Sequence, residues 1–248
     1  MFTIAARELR SYFTSPLAWA ILGVVQFILA IVFAYSTDLF LSIQEQLVSV
    51  PNAPGLTDIV VKSVLMWLSI IMLLITPLLT MRLISEERRS KTLALLLSSP
   101  VSMTSIILGK FLGLVTFFLI MLAMVLLMPL SLLFGGNLDM GQFLSGIIGA
   151  ILFATLFIAI GLYISTLTAN PTVAAISTFG VLIFLWIIGW IGNADGESSE
   201  LFAYISITNH FDNLLRGLFH STDVLYYVIF TALFLILSIH RLDAERIQ

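Results

Sequence analysis

Six long apolar runs, separated by short polar stretches, dominate the chain: residues 17–35, 64–81, 106–134, 143–167, 172–191 and 224–239. A hydrocarbon core about 30 Å thick needs roughly 20 residues of helix at about 1.5 Å per residue. The runs lack the period-two alternation of membrane barrel strands. The pattern therefore predicts an all-α integral membrane protein with six transmembrane helices. The first run is too long for a signal peptide, and Phe33-Ala34-Tyr35-Ser36 is a poor cleavage site, so it reads as a retained span. Pro77 and Pro129 are expected to kink their helices.

Composition agrees and narrows the function. The chain has 248 residues, 60% hydrophobic and 10% charged, with a mean hydropathy of +1.11. A soluble domain carries about 25% charge, so little of this chain is left for one. With no cysteine there are no disulfides, thiol catalysis or thiolate clusters, and three histidines are poor material for a metal centre. No phosphate-cradling G-x-x-x-x-G-K-[ST] loop occurs around Gly109-Lys110-Phe111, and no Ser-His-Asp set or H-E-x-x-H helix is recognisable. The chain is read as no enzyme, with no catalytic, cofactor-binding or metal-ligating residues.

Charge distribution sets the expected orientation. With the N-terminus inside, nine of the eleven basic residues fall on the cytoplasmic side, leaving only Lys62 and Arg216 outside, while nine of the fourteen acidic residues fall outside. Lysine and arginine bias orients membrane proteins, so both termini are expected in the cytoplasm. The whole chain, 1–248, reads as one transmembrane domain with three accessory pieces: residues 1–16, 82–105 and 192–223.

In the first piece, Phe2, Ala5, Ala6, Leu9, Tyr12 and Phe13 recur at three- and four-residue steps while Arg7 and Arg10 face away. This fits a helix on the inner membrane surface, its arginines reaching lipid headgroups; an ordinary positive-inside anchor fits equally. In the second, the charged Glu86-Glu87-Arg88-Arg89 gives way to Leu93–Leu97, Pro100 breaks the helix and Ser102 is placed to cap the next. The leucines either dock a soluble partner or pack beneath the chain's own helices. In the third, Phe211, Leu214, Leu215, Leu218 and Phe219 form one apolar face of a helix in the outer leaflet, with His210 and Asp212 as caps or surface groups.

Ionisable groups are almost absent from the spans, which argues against an ion-coupled carrier. Gln26 either lines a pathway or bonds neighbouring helices. Ser145, Gly146, Gly149 and Ala150 allow close helix contact, within the chain or between two copies.

Two segments carry a family resemblance. Arg7-Glu8-Leu9-Arg10-Ser11-Tyr12-Phe13-Thr14-Ser15-Pro16-Leu17 resembles the N-terminal interfacial helix of type-2 ABC exporter permeases. The stretch from Glu86 to Ser102, followed by Leu108-Gly109-Lys110-Phe111, resembles their cytoplasmic coupling region, nearest to the gliding-motility and nitrous-oxide-reductase maturation branch. The resemblance implies a bacterial inner-membrane subunit that pairs with a second permease copy or a related one. It also implies two separate ATPase subunits, which hold ATP and magnesium, membrane lipid as surroundings, and no nucleic acid. It assigns ATPase coupling to Glu86, Glu87, Arg88, Arg89, Leu93, Leu95, Leu96 and Pro100, and the interfacial helix to Arg7, Glu8, Arg10 and Tyr12. The competing expectation is a non-transporting membrane anchor or assembly scaffold.

Overall fold

A computed structural model of the chain describes residues 1–47, 53–92, 101–134, 137–192 and 205–246. Regular structure among them is entirely helical. Helix α1 (Phe2–Thr14) precedes α2 (Pro16–Leu47). A π-helical turn (Thr57–Val61) runs directly into α3 (Lys62–Thr80), and the short α4 (Ser85–Arg89) follows. Then come α5 (Met103–Ser131), extended by the 3₁₀ turn Leu132–Phe134, α6 (Met140–Leu167), α7 (Pro171–Gly192), α8 (Ile207–Leu215) and α9 (Ser221–Arg246). Six helices, α2, α3, α5, α6, α7 and α9, are long and apolar enough to cross a membrane.

Local chemistry sets where these helices begin and end. Ser102 caps α5 by accepting a bond from the Ser105 amide at 3.2 Å, and Asp139 caps α6 by accepting from Gly141 and Gln142 at 2.9 and 3.1 Å. Helix α2 continues well past residue 35, its Thr37 and Ser42 hydroxyls bonding back to the Phe33 and Leu39 carbonyls without breaking the helical ladder. Pro77 and Pro129 fall in the last turns of α3 and α5, so each marks a helix end rather than a mid-span kink.

The expected outer-leaflet helix is shorter than its apolar pattern. It stops at Leu215 because Gly217 takes a left-handed φ of 79°. The Leu218 amide then donates to the Asn213 carbonyl at 3.0 Å and the Gly217 amide to Leu214 at 3.1 Å, the paired bonds of a Schellman cap. Phe211, Leu214 and Leu215 are buried, but Leu218 and Phe219 lie beyond the helix and are exposed.

Helices α3 and α6 form the centre. Their most apolar windows are 61% and 67% buried, against 22% for α2 and 28% for α7, which therefore lie at the rim. Lipid tails are as apolar as leucine, so the centre is held by close packing rather than by escape from water. Small residues on α6 make that packing possible. A β-carbon at Gly146 would lie 2.8 Å from Leu65 of α3, one at Gly149 3.0 Å from Leu214 of α8, and one at Gly161 2.7 Å from the Thr80 β-carbon. The small-residue pattern at 145–150 thus serves contacts within the chain.

At one end of the bundle lie α1, α4, the start of α5 and the end of α9; we call this the terminal face. The opposite face carries the π-turn, the start of α6 and α8.

Gly161→Val should overpack the α3–α6 contact and cost about 1–3 kcal/mol. The measurement is a lowered thermal midpoint in detergent, with Gly180→Ala, whose β-carbon meets nothing within 4 Å, leaving the midpoint nearly unchanged.

Candidate functional site

The terminal face is organised around Lys110, only 2% exposed although it lies in the first turns of a membrane-spanning helix. Its surroundings begin with two glycines. A β-carbon at Gly109 would lie 2.8 Å from Ile4, and one at Gly113 2.8 Å from the Glu8 β-carbon. Without side chains at these positions, α1 settles directly on the α5 backbone. Phe13 and Tyr12 then pack on Phe117, with ring centroids 5.8 and 5.6 Å apart, and the Trp19 indole donates to the Phe13 carbonyl at 3.0 Å.

That close approach carries the Glu8 carboxylate to 2.6 Å from the Lys110 Nζ, while Glu87 of α4 reaches the same ammonium at 2.7 Å. A buried ammonium costs several kcal/mol in lost hydration and persists only where charge-assisted bonds replace the water. Two carboxylates from remote parts of the chain supply them here. Glu87 Oε2 has no hydrogen-bond partner among the described residues, so negative charge at this point exceeds what one ammonium offsets. Burial raises the pKa of the half-buried Tyr12 phenol well above its usual range, with the Glu8 carboxylate adding to the effect, so it stays a neutral group.

The other flank of α4 is pinned just as firmly. The Ile84 and Ser85 amides both donate to Ser165 Oγ at 3.1 Å, and the Ser85 hydroxyl donates to the Met81 carbonyl. Arg88 donates to the Thr166 carbonyl at 2.8 Å and to both Glu245 oxygens at 2.7 and 2.8 Å. Glu87 and Arg88 are adjacent in sequence and reach different neighbours, one to Lys110 of α5, the other to α6 and α9. Lys91, at φ 59°, turns the chain away from α4.

Placement of the expected coupling residues divides cleanly. Glu86 and Arg89 are exposed, and Glu86 comes no nearer than 3.9 Å to Arg82. Glu87 and Arg88 are engaged within the chain and are not free surface charges. Leu93, Leu95, Leu96 and Pro100 lie outside the described residues. Helix α4 is therefore a short ridge. On one side is a cleft of about 330 Å³ bordered by Arg7, Glu8, Arg82, Glu86 and Lys110. On the other is a shallower one of about 480 Å³ bordered by Arg82, Glu86, Arg89, Pro171 and Thr172. Arg7 and Arg10 of α1 are exposed. Gln26 lines neither cleft, and its amide nitrogen is buried without a partner among the described residues.

Sequence reading missed the roles of Gly113 and Glu245 and counted Lys110 only among the cytoplasmic basic residues, without its burial. Gly109 and Gly113 stand four apart, a readable signal for close helix contact. Nothing local marks Glu245 as the partner of Arg88.

On the opposite face, Lys62 pairs with Asp212 at 2.7 Å, and the Gln142 amide donates to Asp58 at 2.7 Å and to the Leu215 carbonyl at 2.9 Å. His210 is buried, not a surface group. Its Nδ1 lies 2.6 Å from Asp223 and its ring stacks on Tyr226, because α8 folds back onto the first turn of α9.

Comparison with known proteins identifies the architecture. The sequence profile of the ABC-2 family transporter proteins matches residues 2–246, nearly the entire chain. The chain belongs to that family. An ABC-2 permease is the membrane component of an ABC transporter and is not itself catalytic, and the family generally implies an ABC ATPase as partner. No curated protein matches this ABC-2 permease by sequence.

Lys110→Met in the permease should strand Glu8 and Glu87 and lower stability by about 2–4 kcal/mol. Adding Glu8→Gln and Glu87→Gln should recover part of the loss. Hydrogen exchange over Phe2–Thr14 is the check, rising in the single variant and falling back in the triple.

Proposed function

We propose that this ABC-2 permease transmits the work of a separate ATPase through α4 and the segment that follows it. The transmitted motion drives either export or mechanical action across the membrane. The observation that carries this reading is the two-sided anchoring of α4. A force applied to residues 93–100 would meet an element bonded directly to α5, α6 and α9, and to α1 through the shared Lys110 ammonium, so little would be lost in local bending. Exposed Glu86 and Arg89 would meet the ATPase surface, along with Leu93, Leu95, Leu96 and Pro100. Glu87 and Arg88 would pass the displacement inward.

In this reading residues 82–105 form the coupling region, 1–16 the interfacial helix and 192–223 the extracytoplasmic segment of one transmembrane domain. Both termini would face the cytoplasm, which the lysine and arginine bias supports, and the family resemblance makes the membrane a bacterial inner one. Two ATPase subunits, holding ATP and magnesium, would serve two permease copies or this one and a relative. Placement in the gliding-motility and nitrous-oxide-reductase maturation branch rests on the two sequence segments that carry the resemblance.

Affinity purification of the intact complex from native membranes should recover an ATPase subunit. Arg89→Glu should then lower ATPase activity at least several-fold, or release the subunit, without unfolding the permease. Arg88→Glu should instead lower permease stability even with no ATPase present. Absence of any nucleotide-hydrolysing partner would overturn the proposal, and a bound ATPase indifferent to Arg89→Glu would leave a scaffold.

A further inference from the structure

We propose that the cleft between α1 and α4 binds the headgroup of an aminophospholipid, whose acyl chains run along the exposed face of α2. The cleft, about 330 Å³ in volume, falls in the range of small-molecule sites, roughly 300–1,000 Å³. Its charges are arranged for a zwitterion. On the rim, Arg7 makes no ion pair among the described residues, and Arg82 approaches a carboxylate only at 3.9 Å. Two guanidiniums with spare donors suit the oxygens of a phosphodiester. Facing them, Glu86 is exposed, and the Lys110 group holds two carboxylates against one ammonium. That excess negative charge favours a cation. Three basic and three acidic side chains border the cleft, so a ligand carrying both signs fits better than a simple anion.

Apolar geometry points to a lipid. The cleft floor contains Ala18, Leu79 and Leu83, each nearly fully buried, and its edge contains Leu17, 37% exposed. From Leu17 an apolar stripe continues down α2 through Val24, Ile28, Ile31 and Tyr35, all exposed. These positions fall at i, i+7, i+11, i+14 and i+18, one face of a helix. A headgroup in the cleft would lay its chains along this stripe. The amine should be primary: carboxylates need N–H donors, whereas a quaternary ammonium offers none and is favoured by an aromatic cage. Tyr12 is the one aromatic side chain on this cleft among the described residues.

Delipidated full-length protein in detergent, titrated with phosphatidylethanolamine, phosphatidylcholine, phosphatidylglycerol and soluble phosphoethanolamine under native mass spectrometry, tests this. Phosphatidylethanolamine should bind about tenfold or more tighter than the other two lipids, as expected if one charge-assisted contact is lost. The soluble headgroup should bind far more weakly than the lipid. Arg7→Gln with Arg82→Gln should weaken binding of all three lipids at least several-fold, and Glu86→Gln should reduce the preference for phosphatidylethanolamine; all three side chains are exposed, so folding is not at stake. Equal retention of the three lipids, or unchanged binding by the arginine variants, would overturn the site. Equal affinity for phosphoethanolamine would make the ligand a soluble zwitterion and overturn the lipid. High-yield cross-linking of Ile28→Cys between two copies would give the stripe to a second chain and overturn the acyl path.

Discussion

An ammonium held almost entirely out of water, near the end of a hydrocarbon-spanning helix, constrains everything around it. Lys110 has to find acceptors or lose several kcal/mol of hydration uncompensated. Its two partners lie 102 and 23 residues away in sequence, and neither comes from its own helix. Satisfying this one group therefore requires α1 to lie across α5 and the chain after α3 to fold back beside it. Glycine at positions 109 and 113 makes the first requirement sterically possible. Ser165, by taking two amide protons from the start of α4, makes the second possible without stranding backbone groups.

The two faces of the bundle reach order by different means. At the terminal face, charged side chains are pulled inward and neutralised across helix boundaries: Glu8 and Glu87 on Lys110, Glu245 on Arg88. At the opposite face a short amphipathic helix, α8, is tucked against α6 and fastened by backbone carbonyls and mixed polar contacts. Tyr226 and Tyr227 donate to the Ile205 and Ile207 carbonyls at 2.7 Å each, and Gln142 bridges Asp58 and Leu215. Between them the centre holds by size matching, glycine against leucine and threonine, with few polar contacts. The polar anchors thus sit where water or headgroups can hydrate their outer edges, and the dry middle remains a packed apolar column.

Much of this was legible in the sequence because length and hydropathy are one-dimensional properties. The six spans depend on contiguous apolar runs, and the capping serine at 102 and the amphipathic N-terminal segment on residues close together in sequence. The length of α8 was misjudged because apolar periodicity continues through Leu218 and Phe219, whereas helix termination is decided by a single glycine, Gly217. The site was half legible. Glu86 and Arg89 project as a charged surface segment should, but Glu87 and Arg88, indistinguishable from them in composition, turn inward. What separates the four is the location of Lys110 and Glu245 in space, and no local pattern encodes that. The same holds for His210, whose burial follows from where α9 begins.

Helix α4 contains five residues, little more than one turn, and has almost no stiffness of its own. Its position is set by what it touches. A displacement of α4 then has two outcomes: its partners move with it, or buried ion pairs break at a cost of about 3–5 kcal/mol each. Movement of α1 and α5 together against α2 breaks no ion pair, although the Trp19–Phe13 hydrogen bond ties the start of α2 to α1. Concerted movement is accordingly the cheaper path. Under the coupling role proposed above, a helix too short to act as a rigid lever would serve as a relay because both of its charged flanks are already engaged with neighbouring helices.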